Sequence, residues 1–294
     1  MKHPPYTASA WNQIQRCAAE VEAVMTQSGL AVTMGGEPTF IPLRPEGSEW
    51  QTAALGPTKL GYARQFARRL AELHFPGSVL LETSGKHYPG EPLPRWTLLL
   101  QRRLDGIALW KDPTLLKADL KPGRHTATQG KSLLEAIFRA LELDPKALLS
   151  CAEESTPDAV VGFVGPLDHT GEKWVSDDWA AVLKRRTVSL IPGDSLLGLR
   201  LPLGRLPEDT LKRAMTVEVR EGSLALFIPP LTTAAYQTLL PLIERCLVAA
   251  KLRDVVLAGY APPIDGALPT IGFASDPGVI EINLTPCATW EGYD

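Results

Sequence analysis

The stretch "TVEVREGSLALFIPP", Thr216 to Pro230, predicts two short strands joined by a tight turn. Glu221 and Gly222 separate two runs rich in apolar and β-branched residues, and this arrangement is typical of a β-hairpin. Another hairpin is predicted upstream, where Asp105-Gly106 lies between "RWTLLLQRR" and "IALW", because Asp-Gly favours the tight turns of hairpins. Such short connections join antiparallel strands, since parallel strands need a longer crossover.

Helices and further strands complete the predicted pattern. Helices are predicted at 8–27, 57–74, 128–143 and 232–251, the last interrupted at Pro241. Further strands are predicted at "LAVTM", "SVLLE", "AVVGFVG", "KWV", "TVSLIP", "VVLAGY", "TIGF" and "GVIEINL". Hairpins outnumber strand–helix–strand crossovers, which favours an α+β fold with a mostly antiparallel sheet and flanking helices over a doubly wound parallel sheet. We expect a single domain over residues 1–294, with a soft internal boundary near 150–157.

The composition argues against several classes of function. The 294 residues carry a net charge of −3 with a pI near 6.0, so the charge balance does not indicate nucleic acid or an anionic membrane as a partner. Cys17, Cys151, Cys246 and Cys287 form no CxxC pair, which argues against a cysteine zinc site or a disulfide framework. The first residues lack the apolar core of a signal peptide, and no run is long enough for a membrane helix. We therefore expect a cytoplasmic protein.

The segment "GVIEINL", Gly278 to Leu284, alternates as a half-buried strand does. One face is aliphatic, and the other presents Glu281 and Asn283. An ordinary antiparallel strand with one solvated face explains this pattern, and it is the commoner outcome. The alternative is a carboxylate on the working face of a sheet, where oxygen ligands on a rigid strand suit Mg²⁺.

The segment "TMGGEPTF" places Glu37 directly after two glycines and before a proline. Glycines at such a position allow a ligand or another backbone to come close, or form a bulge that redirects the next side chain. A plain turn with a solvated glutamate is the alternative.

Four ionisable side chains, Lys86, His87, Glu91 and Arg95, lie on the proline-rich stretch "SGKHYPGEPLPRW". Three prolines restrict the backbone of this stretch, so the charged groups have few positions open to them. This is one way to preorganise a polar site. A surface loop with solvated charges is the alternative.

The stretch "LIPGDSLLGLRLPL" places Asp194 in a Pro-Gly-Asp turn. The residues after this turn predict a strand with Leu199, Leu201 and Leu203 on one face and Arg200 on the other. Arginine is suited to clamp a phosphate or a carboxylate, although a lone arginine is more often a surface residue.

The stretch "HTATQGKS" resembles the phosphate-binding pattern G-x-x-x-x-G-K-[ST], but His125 stands where the first glycine is required. The preceding "KADLKPGR" is also too polar for the strand that this motif needs. A helix capped by Thr126 or Thr128 explains the stretch better.

Cys287 lies in "TPCATW", close to Glu281 in sequence. A cysteine nucleophile paired with a distant histidine is conceivable there. A buried, inert cysteine is far more common.

Six stretches carry a resemblance to one bacterial family, in the same order: "VTMGGEPTF", "SEWQTAALGP", "GKHYPGEPLPRW", "IPGDSLLGLRLPL", "PPL" and "DPGVIEINLTPCATW". On these motifs the chain resembles the amidoligases found beside, or fused to, transglutaminase-like proteins. The resemblance covers Val32 to Trp290. It implies membership of the glutamine-synthetase-like carboxylate-amine ligases, and hence a curved antiparallel sheet that holds ATP and Mg²⁺.

The resemblance also implies a reaction, in which a substrate carboxylate is phosphorylated and then attacked by an amine to give an amide. The implied metal ligands are Glu37 and Glu281. The implied contacts to the cofactor are Lys86, Arg95, Arg200 and Asn283. The candidate catalytic residues are Glu91, His87 and Asp194.

Members of the resembled family carry a further glycine- and histidine-rich motif beyond the position of Asp294. We therefore expect the N-terminal half of a larger enzyme, or a short form that depends on a partner. That partner would be a chain that supplies the other half, or a transglutaminase-like protein. The expected substrates are small-molecule or peptide carboxylates and amines. The alternatives are a non-catalytic binding or scaffold subunit that retains the fold, and a hydrolase or transferase that uses Cys287.

Overall fold

The computed structural model describes residues 6–33, 35–91, 93–263 and 266–293. Its helices are α1 (Ala8–Gln27), α2 (Lys59–Leu73), α3 (Ala127–Ala140), α4 (Trp179–Leu183), α5 (Thr233–Ala250) and α6 (Trp290–Tyr293). Its strands are β1 (Thr39–Phe40), β2 (Val79–Ser84), β3 (Trp96–Gln101), β4 (Leu149–Glu153), β5 (Thr156–Pro166), β6 (Asp168–Thr170), β7 (Lys173–Val175), β8 (Thr187–Leu190), β9 (Ala214–Arg220), β10 (Ser223–Ile228), β11 (Val256–Gly259), β12 (Thr270–Asp276) and β13 (Val279–Asn283). Within these ranges no helix has both the length and the apolar character needed to cross a membrane.

Eleven strands form one sheet, in the order β1-β13-β12-β3-β2-β11-β10-β9-β5-β4-β8. Across the described ranges, its parallel pairs are β2–β11, β10–β11 and β4–β8, and the other neighbours are antiparallel. The prediction of a mixed fold with a large, mostly antiparallel sheet and several helices is confirmed. So is the hairpin at Glu221-Gly222, which joins β9 to β10. The segment 150–157 falls on the β4–β5 hairpin within this sheet.

One face of the sheet packs under α3 and α5, and we call it the α3/α5 face. Leu81, Val217 and Leu226 belong to the core there, together with Ile137 of α3 and Ile243 of α5. Burying an aliphatic side chain of this size stabilises the fold by about 1.5–3 kcal/mol. This core therefore fixes the middle of the sheet.

The opposite face, which we call the α2 face, is covered at its two ends. At one end, Ala63 and Ala67 of α2 pack with Leu98 and Phe273 of the sheet. At the other end, α4 and the residues that follow β8 pack over β4, β5 and β8. The register of the strands places Glu82 of β2 on the α2 face, because it pairs with Leu98. The centre of this face lies between the two covered ends and forms a cleft.

The start of α2 is anchored by the buried Glu49. Its carboxylate accepts the backbone amides of Thr58 at 3.1 Å and of Lys59 at 3.0 Å, and the Thr58 hydroxyl at 2.7 Å. The first amides of a helix have no acceptor inside the helix. A carboxylate there accepts their hydrogen bonds and is attracted by the partial positive charge of the helix N-terminus. The Lys59 ammonium is buried and donates to the carbonyls of Ala53, Ala54 and Asp276. The motif "SEWQTAALGPTK" is therefore a structural joint between α2 and β12.

Helix α3 begins as the capping interpretation predicted. The Thr126 hydroxyl accepts the Gln129 amide, and the Gln129 side chain accepts the Thr126 amide, which together form a capping box. The stretch "HTATQGKS" therefore forms the start of a helix, and its resemblance to a phosphate-binding loop is limited to the sequence pattern.

Two strands predicted in the first half of the chain are wrong. "IALW" forms no strand, because Leu109 and Trp110 are buried and both of their amides donate to the Gly77 carbonyl. Strand β3 instead pairs with β2 and β12. "LAVTM" is irregular over its described residues, with Leu30 62% and Val32 54% exposed; Met34 lies outside the described residues. An apolar segment that pairs with no neighbouring strand gains neither ladder hydrogen bonds nor buried area from an extended conformation.

The predicted interruption at Pro241 is also wrong, because α5 runs through it. A proline inside a helix costs about 3 kcal/mol. Leu239, Leu240, Leu242 and Ile243 on either side are buried in the core, and their packing outweighs this cost.

Candidate functional site

The first candidate site is a group of polar side chains at one edge of the sheet, formed by Glu37, Glu281 and Asn283. We call it the carboxylate strip. Strand β1 pairs antiparallel with β13, and Thr39 lies opposite Glu281. Two segments that are more than two hundred residues apart in the sequence are therefore neighbours in one sheet, as the metal-site hypothesis requires.

The backbone ladder continues beyond β1. Two hydrogen bonds extend it, from the Ile282 amide to the Pro38 carbonyl at 2.9 Å and from the Leu284 amide to the Gly36 carbonyl at 3.2 Å. Between these bonds Glu37 lies opposite Asn283 as a non-hydrogen-bonded pair, in which Cα atoms are typically about 4.5 Å apart. Glu37 and Glu281 are then diagonal neighbours on one face of the strand pair. Diagonal neighbours are typically about 7–8 Å apart, a distance that long side chains can bridge.

The donor set of the carboxylate strip suits one kind of metal. Glu281 Oε1 accepts a hydrogen bond from Asn283 Nδ2 at 2.8 Å, and both residues are half-buried while Glu37 is exposed. No group of three His, Cys, Asp or Glu that could hold a metal occurs in the described part of the chain. Mg²⁺ is commonly held by one or two carboxylates, with water and substrate phosphates completing its shell. Two carboxylates on a strand pair fit that mode of binding.

The loop between β2 and β3 is organised by Arg95, which is 8% exposed. Its Nη2 donates to Glu91 Oε1 at 2.8 Å, and its Nη1 donates to Asp276 Oδ1 at 2.6 Å. The guanidinium also lies over the Tyr88 ring, 4.3 Å from its centroid. The hydrogen bond between Glu91 and Arg95 lowers the pKa of the Glu91 carboxyl and raises the pKa of the Arg95 guanidinium. Arg95 thus ties the loop to β12.

The other charged groups of this loop face solvent. His87 Nε2 donates to the Glu91 carbonyl at 2.9 Å, which closes the turn. Lys86 is exposed, and its ammonium has no hydrogen-bond or ion-pair partner among the residues described. Pro92, one of the three prolines of the loop, lies outside the described residues. Because Arg95 already holds two carboxylates, Lys86 is the cation of this loop that is available to a ligand.

The second candidate site is the cleft on the α2 face, with a volume of about 660 Å³. Glu82, Ala225 and Val256 form its floor, between α2 on one side and the segment after Asp194 on the other. The charged residues that line it are Arg64, Glu82, Arg95, Lys117, Asp194, Arg220 and Glu221. The volume lies in the range of small-molecule sites. Two predicted site residues, Arg95 and Asp194, reach this cleft.

Arg200 lies on a 3-10 turn, so the strand predicted after Asp194 is wrong. Leu197–Arg200 and Leu203–Arg205 are both 3-10 turns. Proline at 202 lacks the amide that a strand ladder would use. The Arg200 guanidinium donates to the Ile191 carbonyl at 2.8 Å and to the Glu153 carboxylate. Arg200 therefore fastens this segment to β4.

Glu218 of β9 lies beneath the same segment. Its Oε1 accepts the Leu197 amide at 2.7 Å. Burial raises the pKa of the Glu218 carboxyl above its usual 4.5. Above about pH 4.5 the folded state therefore binds more protons at this group than the unfolded chain does. The contribution of Glu218 to stability is fully present at low pH and is lost as the pH rises through the pKa of the folded state.

We expect Glu218→Gln to be more stable than the wild type at about pH 7.5, with the difference shrinking toward about pH 4.5. The amide is neutral at every pH and keeps an oxygen for the Leu197 amide. Urea unfolding midpoints at several pH values measure this. A difference that is independent of pH would show that Glu218 ionises freely in the folded state.

A family model described as "Putative amidoligase enzyme (DUF2126)" matches the chain over residues 2–159, 154–212 and 207–294. The chain belongs to the DUF2126 family. No curated protein and no solved structure matched it. The matched residues include both candidate sites of this DUF2126 chain.

In this member of the DUF2126 family, the predicted site residues fall on two faces of the sheet. Glu281 lies in a cross-strand row with Ala274, Thr97 and Thr83, two residues from Leu81 on the α3/α5 face. The carboxylate strip is therefore on the α3/α5 face. Asp194 and Arg200 lie on the α2 face, and the Arg95 loop lies at the strand ends between them. The sheet separates these two groups.

The sequence interpretation missed several charged residues of the cleft. Arg64 donates to Glu82 Oε2 at 2.6 Å, and Lys117 is buried. One signal was present for Glu82, a carboxylate at the end of the apolar run "SVLLE". Arg64 follows an apolar helix stripe, and Lys117 stands in a polar run, so neither is distinguished by its local pattern.

The thiol of Cys287 makes a local hydrogen bond to the backbone of α6. Its Sγ donates to the Gly292 carbonyl at 3.1 Å. The nucleophile hypothesis for Cys287 stays a prediction.

Proposed function

We propose that the chain is an ATP- and Mg²⁺-dependent carboxylate-amine ligase, or the N-terminal half of one, with a glutamine-synthetase-like fold. Three observations support this proposal: the amidoligase family description, the large, mostly antiparallel sheet, and above all the pairing that places Glu37 and Glu281 on one face. The substrates would be small-molecule or peptide carboxylates and amines.

The carboxylate strip would hold Mg²⁺ through Glu37 and Glu281. Asn283 would orient Glu281, since its amide already donates to that carboxylate. When bound, Mg²⁺ and ATP would supply charge neutralisation and the phosphoryl group that activates a carboxylate. The chain's own contribution is a pair of carboxylates fixed by the ladder between Gly36 and Leu284.

The loop after β2 would provide the positive charge for a bound phosphate or carboxylate. Lys86 is the exposed cation, and Arg95 holds the loop in place through Glu91 and Asp276. His87 is exposed next to Lys86 and is the candidate proton carrier of the loop. Glu91 would then act through Arg95, whose charge it neutralises.

Asp194 and Arg200 would play a different part from the one that the resemblance implied. Both lie on the α2 face, so we assign them to the cleft and its supporting segment. A partner chain that carries the other half of the enzyme, or a transglutaminase-like protein, would complete the site on the α3/α5 face. We place the reaction in the cytoplasm.

Thermal unfolding with millimolar ATP tests this proposal, in the presence of Mg²⁺ and in the presence of EDTA. A ligand that binds only the folded state raises its stability, by about 2.7 kcal/mol at a hundred times its Kd. We expect the melting temperature to rise with ATP and Mg²⁺ together and not with ATP and EDTA. No rise with Mg²⁺ and ATP would support the alternative of a binding or scaffold subunit that retains the fold.

A further inference from the structure

The inner end of the cleft carries more positive than negative charge. Arg64 and Lys117 are each 7% exposed and line it. Arg64 pairs with Glu82 at 2.6 Å, whereas the described contacts of the Lys117 ammonium comprise the Lys121 carbonyl alone. The inner end thus holds two buried cations and one carboxylate, and the described ion pair of that carboxylate is with Arg64. Buried charge is costly unless it is paired, so this end of the cleft favours an anion.

A buried hydroxyl at the cleft also lacks a partner. Ser223 is 3% exposed and lines the cleft, and its Oγ has no hydrogen bond among the residues described. Buried polar groups are nearly always hydrogen-bonded. A ligand oxygen would accept from this hydroxyl, as it would from the free N–H groups of Lys117.

The outer rim of the cleft has the opposite character. Asp194 and Glu221 are exposed there, and neither carboxylate has a partner in the described ranges. Arg220 is engaged with the Asp194 carbonyl at 2.8 Å. Between the rim and the inner end the walls are apolar, with Leu60, Leu120, Leu196 and Leu199 among the lining residues.

We propose that the cleft binds a small amino-carboxylate, an amino acid or a short peptide with an apolar body. Its carboxylate meets Lys117, Arg64 and Ser223, and its ammonium meets Asp194 and Glu221. This site lies on the α2 face, and the carboxylate strip lies on the other face. The proposal therefore goes beyond nucleotide binding and does not depend on it.

Three probes of equal chain length test the proposal: 6-aminohexanoate, hexanoate and hexylamine. Calorimetric titration without ATP and without Mg²⁺ keeps the result independent of the nucleotide proposal. We expect 6-aminohexanoate to bind most tightly, hexanoate more weakly and hexylamine least. Equal affinity for hexanoate and 6-aminohexanoate would overturn the ammonium contact, and preference for hexylamine or no binding at all would overturn the site.

Variants locate the site. Ser223→Ala removes a hydroxyl that has no hydrogen-bond partner among the described residues, so we expect the fold to be retained and the binding of 6-aminohexanoate to be several-fold weaker. Lys117→Met is expected to weaken the binding of both 6-aminohexanoate and hexanoate roughly tenfold or more. The matched control is Lys131→Met, which changes an exposed lysine. Asp194→Asn with Glu221→Gln is expected to bring 6-aminohexanoate down to the affinity of hexanoate. Unchanged affinity in Ser223→Ala and Lys117→Met would overturn the assignment.

Discussion

Glu49→Ala is expected to lower the free energy of unfolding by about 3 kcal/mol, because it leaves buried donors without an acceptor. The carboxylate is 2% exposed and accepts the amides of Thr58 and Lys59 and the Thr58 hydroxyl. Its side chain also fills the space against Gly56, where an added Cβ would lie 2.4 Å from it.

The charge of Glu49 matters as well as its oxygens. Burial lowers the pKa of Lys59, and the nearby Glu49 carboxylate opposes that shift. Without Glu49, the Lys59 ammonium would lose the larger of the two carboxylate attractions that oppose its desolvation, the other being that of Asp276. Chemical denaturation of Glu49→Ala and of Glu46→Ala, an exposed glutamate of the same segment, measures the effect. If the two variants lose equal stability, Glu49 is not the anchor of α2.

Glu281→Gln is expected to weaken Mg²⁺-dependent ATP binding about a hundredfold. Groups that only support a metal ligand are worth about 10–100-fold, and a direct carboxylate ligand should be worth at least as much. Glutamine keeps the oxygen that accepts from Asn283, so β13 should remain in place. Binding is measured by titration of ATP at saturating Mg²⁺.

Glu46→Gln is the matched control for Glu281→Gln, since it removes one carboxylate charge from an exposed position. The thermal stability of Glu281→Gln without ligand should equal that of the wild type. Wild-type ATP affinity in Glu281→Gln would remove this residue from the metal site.

Local patterns were sufficient for much of the fold. The three-to-four-residue periodicity of α1, α2 and α3 and the turn at Glu221-Gly222 predicted these elements, because each depends on neighbours in sequence. The same reasoning failed at "IALW", where the Gly77 carbonyl takes two amides, and at Arg200, which bonds Glu153. Both outcomes depend on contacts with residues far away in the sequence.

The candidate site divides in the same way. The alternation of "GVIEINL" correctly placed Ile280 and Ile282 in the core and Glu281 on the other face. The neighbour of Glu281 across the sheet is set by β1, which is two residues long and has no strand signal. The cleft combines Arg64, Lys117 and Ser223 from three separate segments, so no local pattern could predict it.

The central claim is that Glu37 and Glu281 bind one divalent ion, and a double-mutant cycle tests it most directly. Mn²⁺ affinity in the presence of ATP is measured by electron paramagnetic resonance for the wild type, Glu37→Gln, Glu281→Gln and the double variant. If the ion is shared, each single variant loses affinity and the two losses are not additive, because interacting residues couple. Mn²⁺ affinity that is the same in all four proteins would contradict the account.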